Sequence, residues 1–431
     1  MQKILILTFY FPPCNLTASY RVKSWAEHMN ECGFYPVIVT RRWDINVTHI
    51  SDISAPTENK MIHEKNENYE VYYLPYHQNL RDRIYYKFKD NRFVKIRKLL
   101  SLFEISLQNG FNFVNPFKNI YSFSKKLIEK DRDIKIMLTS GSPFILFRFC
   151  YLLNKKYGIP WIADYRDEWN STYWEKKVGF PRNVIRKIEF NCEKKWLKTV
   201  AFATATTKLS AETISEFIER PAGVIYNGYV EEDFNNNTGI DENKEFTFVY
   251  NGTLYDYQQV EVFSEGYKKI IDEYKNKLKI KIIFAGLGLN KKQKDRVELL
   301  LKGYEDNYII TGRLLKKEII EIQLRSHVLL HIAIAERKGV IASKIFEYIA
   351  CRKTILFCPS DKGEVEGLLK PTNLALFCST EVECYDIIKK LVDEYIETGK
   401  IKVSPNEEVI KSYTRKIQTQ HLAEMIKKTL A

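Results

Sequence analysis

Two short apolar runs, VLLHIAIA (328–335) and TILFC (354–358), flank a segment of helical period, GVIASKIFEYIA (339–350). A strand, a helix and a second strand joined this tightly form a βαβ unit with a parallel pair of strands. The helix of such a unit starts at the carboxyl edge of the sheet, where ligands bind in open α/β folds. Lys344 and Glu347 stand i,i+3 at that start, behind Ser343. Helix-terminal N–H groups and a lysine suit a phosphate, and a carboxylate suits a sugar diol. An isolated i,i+3 pair is ordinarily a solvated surface feature, so its meaning depends on the motifs around it.

The same alternation runs through the chain. Residues 3–9 read as a buried first strand, 11–21 as a loop, and Val22, Trp25, Ala26 and Met29 as one face of a helix before the strand PVIVT (36–40). The first loop holds no glycine, so the G-x-G-x-x-G fingerprint of a dinucleotide site is absent. Arg21 stands where it could reach an anion above the sheet, with a plain surface arginine as the competing reading. IKIMLTS (134–140), WIADYRDEW (161–169) and VAFATATT (200–207) supply further strands. Asp164, Arg166 and Asp167 cluster at the end of one of them. Charges there are costly unless they meet each other or a ligand. After a turn-rich linker (235–245) the pattern restarts with FTFVYNG (246–252), KIKIIFAG (279–286) and YIITG (308–312). Several strand ends carry glycine or polar loops on one sheet edge, which is how an α/β domain builds a nucleotide site. The expected division is 1–220, 221–405 and a C-terminal helix, 406–431, returning to the first domain.

The segment 80–105 is unlike the rest. It carries eight Lys/Arg and two Asp between positions 81 and 98, interleaved with Tyr85, Phe88, Phe93, Ile96, Leu100 and Phe103 at near-helical spacing. A basic aromatic helix of this kind suits an anionic membrane surface, through Arg83, Lys87, Phe88, Arg92 and Lys95. The competing reading is a helix that docks its apolar face on its own domain. The formal charge of +13 also favours an anionic partner. Nucleic acid is disfavoured because no zinc-finger, RNP-type or basic-zipper motif occurs. No run approaches the ~20 apolar residues of a membrane span, and no signal peptide is recognised. The eight cysteines lack metal spacing, which suits free thiols in a reducing, cytoplasmic setting.

Five motifs in order resemble those of the GT-B glycosyltransferases, more closely the retaining type called group 1 or family 4. They are KILILTFYFPP, WIADYRDEW, YNGYVEEDF, FVYNGTL and SKIFEYIACRKTIL, and together they cover nearly the whole chain. The resemblance implies two Rossmann-like domains facing each other across a cleft, the second binding a nucleotide-sugar donor. It implies that Glu347 holds the ribose hydroxyls and that Ser343 and Lys344 lie near the donor phosphates. Asn251, Gly252, Thr253 and Gly286 would form the diphosphate loops, and Gly312 and Arg313 the loop near the base. Arg166 and Asp167 would stand beside the donor sugar as the catalytic pair, with Arg21 and Asp164 on the acceptor and phosphate side.

The chain departs from the family pattern at three places. The first glutamate of the E-x7-E pair falls on Gly339, the basic pair expected within 256–261 reads DYQQVE, and the amino-terminal loop lacks its glycines. The implied reaction is transfer of a sugar with retention to a hydroxyl, on a saccharide or lipid-linked acceptor in surface polysaccharide or glycolipid synthesis. Lysine, arginine and helix dipoles would stabilise the leaving diphosphate. No metal or other cofactor is expected beyond the nucleotide-sugar co-substrate, since the D-x-D at Asp131–Asp133 precedes a strand instead of following one. The alternatives are a degenerate GT-B scaffold subunit, favoured by Gly339, and a nucleotide-sugar epimerase.

Overall fold

A computed structural model describes all residues except 90–91, 111–114, 173–179, 236–240, 335–338 and 431. The chain divides into two compact units, Met1–Tyr226 with Gln418–Ala431, and Asn227–Ile417.

The sheet of the first unit contains β1 (Gln2–Leu7), β2 (Phe34–Arg41), β3 (Ile62–Lys65), β4 (Glu70–Leu74), β5 (Ile134–Gly141), β6 (Trp161–Tyr165), β7 (Phe202–Ala205) and β8 (Ala222–Val224). Their order is β3-β4-β2-β1-β5-β6-β7-β8, parallel apart from the edge strand β3. β1 is buried on both faces, as a parallel strand between helical layers must be. Leu5 and Leu7 pack into one core with the helices Lys118–Lys130 and Ile145–Tyr157. Ile4 and Ile6 point the other way, to Val22, Trp25 and Ala26 of the helix Thr17–His28 and to Leu422, Ala423 and Ile426 near the C-terminus. That first helix begins at Thr17, inside the stretch expected to be loop.

The second unit has β9 (Phe246–Asn251), β10 (Ile280–Ala285), β11 (Tyr308–Ile310), β12 (Val328–His331), β13 (Thr354–Phe357) and β14 (Ala375–Phe377). All run parallel, in the order β11-β10-β9-β12-β13-β14. This is the strand order of a Rossmann half-pair, and its direction of winding reverses between β9 and β12. Phe246, Phe248 and Tyr250 face a core shared with the helices Val260–Tyr274 and Glu381–Thr398.

Two expectations change. The basic segment is not one helix: Leu80–Phe88 and Val94–Gly110 are separated by a break at which Lys89 (φ 52°) and Phe93 (φ 58°) take left-handed backbone. Arg21 and Asp164 are not at the surface. Arg21 Nη2 and Nε donate to the Asp164 carboxylate at 2.6 and 3.0 Å, and Nη1 donates to the Ile225 carbonyl at 2.9 Å. Ser140 and Thr204 add hydroxyl donors at 2.7 Å each. One buried carboxylate therefore ties the first helix to β5, β6 and β7. A buried ion pair left with one member keeps an uncompensated charge. Asp164→Ala is expected to lower stability by about 3–5 kcal/mol in urea unfolding. The double substitution Arg21→Met with Asp164→Leu should recover much of that loss.

Candidate functional site

The reversal between β9 and β12 opens a cavity of about 160 Å³ at the carboxyl edge of the second sheet. Its floor comes from the chain leaving β9. Gly252 has φ +96°, a conformation that excludes a side chain without strain, and its N–H donates to Ala285 O at 2.8 Å. Gly286, with φ +88°, would place a Cβ 3.9 Å from the Gly252 Cα, so two bare backbones lie side by side. Gln258 fixes the loop after them. Its Nε2 donates to Ile332 O at 2.7 Å and its Oε1 accepts from Tyr255 N at 3.1 Å, pinning the β9 loop to the end of β12.

Lys344 opens the helix Lys344–Cys351 and lines the cavity. Its Nζ donates to Asn251 O at 2.8 Å and sits 3.6 Å from the centre of the Tyr250 ring. Burial pushes its ammonium down to about 7, partly opposed by Glu347. A cation held by one carbonyl and one ring face keeps donors for an anion. Tyr348, from the same helix, accepts the Asn251 N–H at 2.9 Å, so helix and strand end are locked together.

The sequence-selected residues separate into groups here. Asn251, Gly252, Thr253 and Lys344 line the cavity. Ser343 precedes it and accepts a hydrogen bond from Asn227 Nδ2 at 3.3 Å. Gly286 backs Gly252, while Arg313 is exposed beyond Gly312 and does not line this cavity. Glu347 lies one turn down the helix, half-buried and outside the cavity wall. Burial pushes its carboxyl up, against the opposing pull of Lys316, Gln323 and Arg415. Gly339 has φ +74°, so a glutamate there would be strained.

Sequence reasoning missed His331 and Asp361. His331 ends β12, faces the cavity, and its Nδ1 has no partner among the described residues. Burial and the nearby Lys344 hold its imidazole well below the ordinary range, so it is neutral. The visible signal was a single histidine ending an apolar strand. Asp361 accepts from the N–H groups of Gly363 and Val365 at 3.0 Å each and caps the wall helix Glu364–Leu369.

On the first unit, Arg166 and Asp167 follow β6 and pair with each other. The Arg166 guanidinium lies 5.0 Å from the ring centre of Tyr10, which follows β1. Asp164 and Arg21 consume each other's hydrogen-bonding capacity as described, which corrects their assignment to a ligand. The two basic helices are joined by buried polar groups as well as by packing. Asp82 of the first accepts from Tyr76 at 2.6 Å, and Glu104 of the second accepts from Asn79, the cap of the first, at 2.6 Å, both carboxylates buried. Four of their apolar side chains face out, Phe93 at 48%, Ile96 at 49%, Leu99 at 67% and Phe103 at 64% exposure. Arg83, Lys87, Arg92 and Lys95 are exposed around them, and Phe88 packs edge-on against Phe93. Ile84, Tyr85, Phe88, Leu100, Leu102 and Ile105 are half-buried, and the second helix also contacts the helix Phe180–Leu197, so part of the apolar surface packs on the unit and part is left outside.

The two sheets and their strand orders define a pair of Rossmann-like units of the GT-B type. Comparison with solved structures gives the same fold. Sucrose-phosphate synthase from Thermosynechococcus elongatus matches at TM-score 0.60 and 11% identity, covering 100% of this chain and 99% of that one. A glycosyltransferase from Rickettsia africae matches at 0.60 and 12%, covering 100% and 98%. Anabaena HepE, in complex with UDP, matches at 0.59 and 11%, covering 99% and 100%. No family model matches the chain, and no curated protein matches it by sequence. At these identities the likeness is one of fold.

The floor geometry yields a direct check. Nothing lies within 4 Å of a Cβ built on Gly252, so Gly252→Ala meets only backbone strain. Thermal unfolding should show a loss of about 1–2 kcal/mol, and a neutral result would mean the loop relaxes out of its left-handed turn.

Proposed function

We propose that this chain is a glycosyltransferase that moves a sugar from a nucleotide-diphosphate sugar to a hydroxyl acceptor with retention at the anomeric carbon. The observation that carries the reading is Lys344, a half-buried cation at a helix start, in a cavity at the strand-order reversal of the second sheet. Lys344 and the helix-terminal N–H groups meet the diphosphate, the Gly252–Thr253 backbone lets it approach, and Glu347 takes the ribose hydroxyls. Charge stabilisation of the leaving diphosphate by fixed groups lowers the barrier without a metal. The acceptor then attacks from the face the diphosphate leaves, and a phosphate oxygen takes its proton. Arg166 and Asp167, on the first unit, keep the catalytic role that the resemblance assigns them.

Uridine is the first base to test, since the HepE and E. coli trehalose-6-phosphate structures carry UDP or a UDP sugar. Ligand bound to the native state raises the unfolding temperature by mass action. One of UDP, GDP, ADP or CMP should give such a shift in the wild type, and Glu347→Ala should abolish it. Glycine at 339, where the resembled pattern carries a glutamate, favours a second reading, a binding subunit. Such a subunit shows the nucleotide shift but releases no nucleoside diphosphate from any sugar donor.

Lys344 makes nucleotide affinity depend on pH. Its free-state value of about 7 lies below the ordinary lysine 10.5, and a diphosphate favours the charged form. Binding therefore takes up a proton, and affinity falls as pH rises above 7, by up to about tenfold per unit. Calorimetry in buffers of different ionisation enthalpy reads the uptake directly. Lys344→Arg, charged throughout, should bind with little pH dependence.

We assign the outward apolar and basic face of Leu80–Phe88 and Val94–Gly110 to an anionic bilayer, which would bring the enzyme to a lipid-linked acceptor in polysaccharide or glycolipid synthesis. No described helix is long and apolar enough to cross a membrane, so attachment would be by this surface. Each lysine or arginine near such a surface contributes about 1 kcal/mol. Co-sedimentation with anionic vesicles should be salt-sensitive, absent with neutral vesicles, and at least about tenfold weaker in Lys87→Glu with Lys95→Glu.

A further inference from the structure

Three cysteines that the donor site does not use meet in the core of the second unit. Cys358 follows β13, Cys378 follows β14, and Cys384 lies in the first turn of the helix Glu381–Thr398. All three are buried, and their sulfur atoms lie within 4.8 Å of one another. Backbone bonds set these positions. The Cys358 N–H donates to His331 O at 2.8 Å, that of Cys378 to Phe357 O at 3.2 Å, and that of Cys384 to Thr380 O at 2.9 Å. The sheet ladder and the helix start therefore hold three sulfur donors around one point whether or not anything joins them. Among the described residues this is the one group of three His, Cys, Asp or Glu side chains placed to share an ion.

We propose that Cys358, Cys378 and Cys384 form a binding site for one soft, closed-shell monovalent metal ion, of which Cu(I) is the fitting case. Sulfur-only donors select soft ions. Zinc in a protein site takes four ligands, and the group offers three. A water cannot readily supply the fourth, because the thiols belong to an apolar cluster with Leu356, Ile388 and Leu391. Cu(I) is satisfied by three sulfurs and needs no water. Coordination displaces protons from the thiols that become thiolates, and the cation offsets the charge that burial would otherwise penalise. The site also adjoins the donor cavity. Phe357 before Cys358, and Asp361 and Val365 after it, are cavity walls, so a bound ion would brace that wall. The metal site stands on its own geometry and does not depend on the donor reading.

The test titrates Cu(I), anaerobically, into the reduced full-length chain against a chromophoric Cu(I) chelator. One ion per chain is expected, with three sulfur neighbours in X-ray absorption and no competition from equimolar Zn²⁺. Cys384→Ser should weaken binding at least tenfold. Cys378→Ala provides the same test if that variant misfolds, with circular dichroism confirming the fold of whichever is used. Cys32→Ser with Cys192→Ser, at the two half-buried thiols, should leave binding unchanged. The proposal is overturned if no copper is retained against the chelator, if retention survives loss of the core thiols, or if it follows Cys32 and Cys192. It is equally overturned if thiol counting shows two of the three joined as a disulfide in the untreated protein.

Discussion

Lys344 is held with one carbonyl and one aromatic face as its partners, in a place water reaches poorly. An ammonium there is destabilised relative to bulk water, which is why its proton is loosely held near neutral pH. The surrounding architecture makes that position possible. Gly252 and Gly286 keep the floor free of side chains, Gln258 ties the β9 loop to β12, and Tyr348 joins the lysine's helix to the strand whose last carbonyl it uses. An incoming diphosphate would repay the desolvation of the lysine, so the site is built to favour an anion.

Asp164 shows the opposite outcome at a comparable place. It too lies at the carboxyl end of a central parallel strand, and it is fully buried. Two arginine nitrogens and two hydroxyls satisfy it, and the same arginine reaches the carbonyl of Ile225. A charge with that many fixed donors has nothing left to offer a ligand, and removing it would unpair its partner. The contrast separates a structural charge from an available one by the number of partners rather than by depth. It also explains why Arg166 and Asp167, two and three residues further along and partly exposed, remain the groups to consider on that sheet edge.

The strand–helix alternation was legible because both faces of each parallel strand are covered, so the strands read as short apolar runs. The S-K-x-x-E helix start was legible for the same reason: its neighbours on either side are strands whose place in the sheet is forced. Arg21 with Asp164 was not, because the partners are 143 residues apart and each looks like a lone charge at an element end. The break between the two basic helices was hidden too, since Lys89 and Phe93 adopt left-handed backbone without glycine to announce it. Nor does amphipathic spacing say which face turns inward. Asp82 anchors the first of these helices and Glu104 joins the second to it, with Phe93, Ile96, Leu99 and Phe103 left outside. His331 and Asp361 became visible only once β12 and β13 placed them against one cavity.

The most direct measurement is amide hydrogen exchange on the full-length chain, with and without saturating nucleoside diphosphate. Slowed exchange confined to 250–258 and 340–348 is the expected result, since those backbones form the floor and the helix start. Protection elsewhere with these two segments unchanged would contradict the account, because it would place the anion away from Lys344.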